Sequence, residues 1–461
     1  MTLLFPPPTV RALHAPTRLA DTAVERPPAQ DRGRRGVGSG DVAVAVDVAV
    51  VGLGYIGLPT AAVLAAHGSR VVGVDIDART VAAVNRGEVV IVEPGLEEAV
   101  ADAVRRGRLT ASIEMPAAST YVVAVPTPFR EDHRVDLRFI DAAADAVAAR
   151  LRGGELVILE STSPPGTTRH LAARILDARP DLSGDGSSGR PVVEFAHCPE
   201  RVLPGRAMVE LVTNARIVGG LTPSAGERAR ALYATFCRGE IPVTDAATAE
   251  LAKLAENAFR DVNIAFANEL AAVCEHVGVD VWELIAMANR HPRVDILRPG
   301  PGVGGHCIAV DPWFIVSAAP EQARLVRTAR EVNDAQPGRV VDRVVAAAER
   351  FRAPRIAALG LAFKPDIDDL RESPAREVVA ELATRLPGVR IDVVEPHVTA
   401  LPAELAALPD VSLVGLAEAV ATADVVVLLV DHAAFVAADR TALGLGEKVV
   451  IDTRGAWREV D

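Results

Sequence analysis

Residues 42–51 are apolar except for Asp47, and they run directly into Gly52-Leu-Gly54-Tyr-Ile-Gly57. No other segment narrows the fold so far. A valine-rich run without alternation reads as a strand buried on both faces. Glycines at this spacing, ahead of the alanine-rich stretch 59–67, let a turn close tightly and bring a helix N-terminus up to an anion. A second apolar strand, 70–74, ends in Asp75, whose carboxylate can accept from ribose hydroxyls. This unit predicts a dinucleotide site made by Gly52, Gly54, Gly57 and Asp75. An acid there repels a 2′-phosphate, so NAD is expected rather than NADP. The plainer alternative is a glycine turn that merely packs helix on strand.

Apolar and alanine-rich segments keep alternating through 121–125, 139–151 and 156–160, the pattern of a doubly wound parallel sheet. Between 244 and 278 the strands stop. Residues 248–270 contain neither glycine nor proline and follow a helical period, predicting one helix of roughly 30 residues. Strand and helix signals return at 355–363, 391–395, 424–430 and 449–453. Ser373-Pro374 opens a helix there, serine as cap and proline at the first helical position. In this half Gly360-Leu-Ala-Phe-Lys-Pro replaces the glycine pattern, so a different ligand is expected. The expected fold is α/β: two Rossmann-like doubly wound domains joined by a long central helix and a helical middle domain. Its segments are a flexible extension with prolines and arginines (1–41), an NAD-binding domain (42–243), a helical central domain for dimerisation that carries the cysteine loop (244–340), and a second Rossmann-like domain (341–461).

A net charge of −12 over 461 residues argues against nucleic acid or an anionic membrane as partner. No stretch approaches the roughly 20 apolar residues of a membrane span, and Met1–Pro8 lacks the basic flank of a secretory signal. Four cysteines, at 198, 237, 274 and 307, are too few and too scattered for a disulfide framework, which fits a reducing cytoplasm. No metal-ligating constellation is read.

Three of those cysteines read as small buried hydrophobes. Cys307 differs, because Gly300-Pro-Gly-Val-Gly-Gly-His leads into it and Asp311 follows four later. Such a loop packs poorly as core and suits close approach to a ligand. A thiol in an NAD enzyme suggests covalent capture of an aldehyde. Lys253 and Asn257 lie four apart, on one face of the long helix. On a solvated face the pair would mean nothing; buried, the lysine suits acid/base work or oxyanion stabilisation. Glu160-Ser-Thr-Ser-Pro-Pro-Gly166 and Val125-Pro-Thr127-Pro leave strands at the ends where such folds place ligands, though both also read as plain turns.

With these motifs in this order, the chain resembles the nucleotide-sugar 6-dehydrogenases of the UDP-glucose/GDP-mannose dehydrogenase family, over about residues 47–461. Cys198-Pro-Glu-Arg-Val-Leu-Pro-Gly, Asn289-Arg-His-Pro-Arg, Gly302-Val-Gly-Gly-His-Cys-Ile-Ala-Val-Asp-Pro-Trp-Phe and Phe363-Lys-Pro-Asp-Ile-Asp-Asp-Leu-Arg-Glu-Ser-Pro are similar to the branch acting on UDP-N-acetylhexosamines. The resemblance implies a homodimer through the central helix, NAD in the first domain and UDP in the cleft against the last. It assigns Tyr55, Ile56, Asp75, Arg79, Thr127, Thr162 and Arg371 to NAD. To the nucleotide sugar it assigns Arg201, Val202, Lys253, Asn257, Arg260, Gly304, Phe363, Lys364 and Arg454, with His291 and Arg293 reaching across from a neighbouring subunit. The implied reaction is the four-electron oxidation of UDP-N-acetyl-D-mannosamine to its uronate, through a Cys307 thiohemiacetal and thioester, for surface polysaccharide synthesis. Lys253, Asn257, Asp311 and Glu160 are the other catalytic candidates. UDP-N-acetylglucosamine or UDP-glucose is the alternative substrate, and a non-catalytic NAD/nucleotide-sugar sensor the alternative outside the enzymes. The chain departs from the pattern at Val310, where many relatives carry lysine, and the glutamate near Ser-Thr occurs in more than one register.

Overall fold

The valine run becomes the central strand of an eight-stranded sheet. The computed structural model describes residues 46–130, 135–305 and 307–458; the expected 1–41 extension and the start of the 42–51 strand lie outside them. The strands are β1 (Val46–Val51), β2 (Val71–Val74), β3 (Leu109–Ser112), β4 (Ala118–Val123), β5 (Leu156–Leu159), β6 (Glu194–His197), β7 (Val218–Gly220) and β8 (Val243–Asp245). Their order is β3-β2-β1-β4-β5-β6-β7-β8. All neighbours are parallel except β6 and β7. Successive residues of β1 enter opposite cores: Val48 and Val50 pack under the helix Gly57–Ala66, Ala49 and Val51 under the helix Arg138–Ala148. Helices on both faces are why this strand shows no polar alternation. The order reverses between β1 and β4, and a crevice opens at such a switch point. Register sets Val51 beside Val74 and Val123, so the segments that follow, with Gly52, Asp75 and Ala124, emerge together.

Asp245 ends β8 and caps the next element, accepting from the Thr248 N–H at 3.0 Å. That element is a 32-residue helix, Ala246–Val277, ended by Gly278 at φ +75°, a left-handed C-cap that glycine takes without a Cβ clash. The helix Arg324–Asp334 packs along it through a buried polar seam. Arg330 donates to Asp261 (2.6 Å), Asn333 donates to Asp261 (2.8 Å), and Asn268 donates to Asn333 (2.9 Å).

A second sheet follows: β9 (Arg355–Leu359), β10 (Arg390–Val394), β11 (Val411–Leu413), β12 (Val425–Leu428) and β13 (Val449–Asp452). It is wholly parallel, in the order β11-β10-β9-β12-β13, which repeats the connectivity of β1–β5. Ser373 caps the helix Pro374–Arg385 as expected. The repeat extends to the first turn of each sheet. Gly52 has φ +93° and Gly360 φ +97°. Leu53 N–H donates to Asp75 at 2.8 Å, and Leu361 N–H donates to Glu395 at 2.8 Å. Among the described residues, no helix is long and apolar enough to cross a membrane.

Candidate active site

The turn after β1 is built by exclusion. A Cβ on Gly52 would stand 2.5 Å from the Ala124 carbonyl oxygen, and one on Gly57 would stand 1.9 Å from the Gly52 oxygen. Neither position admits a side chain. Gly54 has nothing within 4 Å, so its freedom serves an open face where a pyrophosphate can approach backbone. The chain here fits a dinucleotide. Asp75 is oriented by Leu53 N–H (2.8 Å) and Asp77 N–H (2.9 Å). Ile76 beside it is exposed. Ile56 is half-buried, and Arg79 is exposed and paired with Asp77. Tyr55 donates its hydroxyl to Glu93 at 2.6 Å. The Thr127 hydroxyl donates to the Thr162 carbonyl at 2.7 Å, tying together the loops that leave β4 and β5.

Cys307 is exposed, and its carbonyl accepts the N–H of Asp311 (2.8 Å), the first residue of the helix Asp311–Ala318. The Asp311 carboxylate, 3% exposed, accepts from Asn257 Nδ2 at 2.5 Å and lies 3.9 Å from Lys253 Nζ. The pair four apart on the central helix therefore meets the acid four residues beyond the cysteine. Burial pushes the Asp311 carboxyl up to about 6, with Lys253 and Asn257 opposing. Burial, then the Asp311 charge, push the Cys307 thiol up, and Lys253 opposes them. A thiol so placed has to give its proton to a base before it can attack.

The glycine loop before Cys307 is wedged against the last domain. A Cβ on Gly304 would lie 2.4 Å from the Glu372 oxygen and 2.7 Å from Pro374 Cδ; one on Gly300 would lie 2.5 Å from an Arg454 nitrogen. Gly305, at φ +85°, sits on the Phe363 ring and donates its N–H to the Glu372 carbonyl at 3.3 Å. Glu372 itself holds φ +48°, a conformation a non-glycine residue keeps only when its surroundings impose it. From the helix side, Asn268 accepts the Gly300 N–H at 2.9 Å. Lys364 is exposed beside Phe363, and Arg454 donates to Asp431 at 2.9 Å. Arg371 is paired with Asp369 (2.7 Å), and the Tyr55 hydroxyl lies near enough to favour its charge. The segment 369–372 thus reaches both the cysteine loop and the first turn.

Some expected members stand elsewhere. Glu160 is a correction: its side chain has 0% exposure and faces the interior. It accepts from Thr60 (3.1 Å), Tyr233 (3.2 Å) and Arg216 (3.4 Å), while Arg216 also donates to Glu200 at 2.7 Å. Burial raises it to about 7, against the pull of Arg216. Its carboxylate is thus enclosed by internal partners. Arg201 is bound to Glu256 of the central helix through two hydrogen bonds, 2.9 and 2.5 Å, so its charge is already balanced; Val202 next to it packs on the core. Arg260 is exposed without an ion pair among the described residues. His291 and Arg293 are exposed, the ring accepting the Arg293 N–H at 3.3 Å, apart from the Lys253–Asn257–Asp311 group. Asp366, His397 and His432 come within 4.8 Å of one another. Yet His432 Nδ1 accepts the Asp366 N–H (3.0 Å) and Nε2 meets Glu395 (3.0 Å), which leaves that ring no lone pair for a metal. The sequence reading missed Glu93, Asn268, Arg330 and Asn333.

Comparison with known proteins agrees with this architecture. The NAD binding domain of the UDP-glucose/GDP-mannose dehydrogenase family matches residues 46–237, its central domain 247–335 and its UDP binding domain 357–459. The chain is 56% identical over 421 residues to an NDP-N-acetyl-D-galactosaminuronic acid dehydrogenase of Ralstonia nicotianae, covering 90% of this chain and 98% of that one. It is 52% identical over 420 residues to the UDP-N-acetyl-D-mannosamine dehydrogenase of Escherichia coli, covering 89% and 99%. A solved UDP-D-ManNAc dehydrogenase from Pyrococcus horikoshii superposes with a TM-score of 0.79 at 37% identity, covering 90% and 97%.

Proposed function

Because the chain belongs to the UDP-glucose/GDP-mannose dehydrogenase family of NAD-dependent enzymes, we propose that it oxidises the primary alcohol of UDP-N-acetyl-D-mannosamine to the uronate in two steps at one thiol. The observation that carries this reading is the exposed Cys307, four residues before an Asp311 bonded to Asn257 and facing Lys253. The turn of Gly54 and Asp75 would hold NAD, and two molecules bound there in succession would each accept one hydride. Lys253, or a water on Asp311, takes the hydroxyl proton as the first hydride leaves. Once that proton has passed to solvent, the Cys307 sulfur adds to the aldehyde carbon, and the thiol proton passes to the freed base. Lys253 and Asn257 stabilise the oxyanion of this thiohemiacetal. Loss of a second hydride gives a thioester, and water held by Asp311 cleaves it to acid and free thiol. Glu160 has no part in this sequence.

The UDP group is assigned to Gly304, Phe363, Lys364 and Arg454, together with Arg260, Arg201 and Val202. Two copies pair along the central helix, where Phe259 (72% exposed), Phe266 and Val273 repeat every seven residues on its outer surface; that pairing brings His291 and Arg293 toward the neighbouring site. The cytoplasm suits an enzyme that needs Cys307 reduced, and the product suits assembly of surface polysaccharide. A second reading, a galacto-configured N-acetylhexosamine, is favoured by the 56% identical relative.

The test is NADH production against a panel of UDP-sugars. Two NADH per sugar are expected with UDP-N-acetyl-D-mannosamine, and the Cys307→Ser variant should stop short of the acid. Normal uronate formation by that variant would end the covalent scheme.

A further inference from the structure

Glu93 lies in the connection between the helices Ala78–Asn85 and Leu96–Arg105, outside every motif read from the sequence. It is 6% exposed, and three donors converge on its carboxylate. The Tyr55 hydroxyl donates at 2.6 Å and the Gly205 N–H at 2.8 Å to one oxygen, and the Ala207 N–H donates at 2.7 Å to the other. Tyr55 belongs to the glycine turn of the first domain. Gly205 and Ala207 follow the segment that carries Arg201 and Val202. The Gly205 N–H also reaches the Tyr55 oxygen at 3.2 Å, closing the triangle.

The segment between has little else to hold it. Leu203, Pro204, Gly205 and Arg206 are exposed, and Gly205 turns the chain at φ +83°. Leu203 N–H is held by Glu210 at 2.9 Å, but Glu210 lies in the helix Ala207–Thr213, whose own first residue is fixed by Glu93. Arg201 is held by Glu256 and Val202 by the core, so what Glu93 fixes is the exposed turn that follows them, and the same carboxylate orients the tyrosine of the cofactor turn. Burial and the Glu93 hydrogen bond both hold the Tyr55 hydroxyl in its protonated form, ready to donate. Arg371 of the last domain lies near that tyrosine.

We propose that Glu93 is a positioning residue that makes the NAD turn and the Arg201–Val202 segment one mechanical unit, so that each ligand favours binding of the other. This rests on assigning the turn to NAD and the segment to the nucleotide sugar. Ordering either element through its ligand fixes the carboxylate, and the carboxylate then presents the other element already ordered.

The test uses the full chain and two probes that do not turn over, NADH and UDP. NADH affinity is read from its fluorescence with and without saturating UDP. The native enzyme should bind NADH about fivefold tighter, or more, when UDP is present. In Glu93→Gln one oxygen becomes an amide donor facing a backbone N–H, and the ratio should fall to near one. If that variant does not fold, Tyr55→Phe keeps both backbone bonds to Glu93, removes only the cofactor side of the joint, and should lower the ratio likewise. A brace of the fold alone would lower the melting temperature and leave the ratio unchanged. A native ratio of one, a variant that keeps the native ratio, or loss of all NADH binding would overturn the proposal. Failure of the functional reading shows separately, as no NADH formed by the native enzyme from any UDP-sugar.

Discussion

Replacing Gly304 by alanine tests the claim that the cysteine loop is located by the last domain. The added Cβ would stand 2.4 Å from the Glu372 oxygen, 2.7 Å from Pro374 Cδ and 3.0 Å from Phe363 Cβ, where ordinary contact begins at 3.4 Å. The nearest two are a backbone carbonyl and a proline ring, neither of which can rotate away. Loop and domain must separate by about 1 Å, the difference between 3.4 and 2.4. Overpacking of this kind costs about 1–3 kcal/mol of stability. A displacement of ~1 Å at a reacting group costs about 100-fold in rate, equivalent to roughly 2.7 kcal/mol of activation free energy. Gly304→Ala should therefore melt earlier and turn over about 100-fold more slowly. Gly54→Ala is the control: with nothing within 4 Å, it should keep the melting temperature and lose affinity for NAD. Thermal unfolding, with NADH formation at saturating substrates, reads both variants. Native turnover by Gly304→Ala would refute the wedge, and lost stability with intact turnover would show that the loop need not be held for catalysis.

The pH profile should bear the mark of Asp311. With its carboxyl near 6, turnover should fall as pH drops through that value, because protonation removes the charge facing Lys253, and the residual activity of Asp311→Asn should lack that limb. Stability moves the other way: between 3.8 and about 6 the native state holds a proton the unfolded chain has released, so this group's contribution declines as pH rises across that window. Arg216→Met leaves Glu160 and Glu200 buried without a counter-charge and should cost about 3–5 kcal/mol in chemical denaturation; a loss below about 1 kcal/mol would mean the cluster is not a brace. Asp75→Asn should narrow the preference for NAD over NADP, read as the ratio of kcat/KM, by about tenfold or more once like-charge repulsion is removed; an unchanged ratio would place discrimination elsewhere.

What was legible in the chain followed from short range. The described part of the valine run, the glycines after it and Ser373-Pro374 carry their geometry in their own residue types, and the strand Val46–Val51 and the cap formed where they were expected. Lys253 with Asn257 was legible because helical spacing is itself a contact map. Glu160 failed for the opposite reason. Its place after a strand said it would be near the crevice, but not which side of the sheet it would face, and Arg216, Tyr233 and Thr60 lie 56, 73 and 100 residues away in the order of the chain. Arg201 was read as a free charge because Glu256, its partner, sits 55 residues on. Asp261 and Asn268 could have been found: with Lys253 and Asn257 they form one polar stripe along a helix otherwise rich in alanine. Glu93 left no local signal, since all three of its donors come from distant turns.

The repeated turns differ in what their acids leave open. A carboxylate offers about four lone-pair directions. Asp75 gives two of them to its own chain, to Leu53 and Asp77, and keeps the rest for a ribose. Glu395 accepts from Leu361, Ala362 and His397 N–H and from the His432 ring, three of them at one oxygen. The two like turns thus part at a single acid. Glycines at 362 and 365 alone would leave the second turn unlike the first, because the His432 ring would still hold its acid. The second turn spends on its own chain what the first leaves open to a ligand.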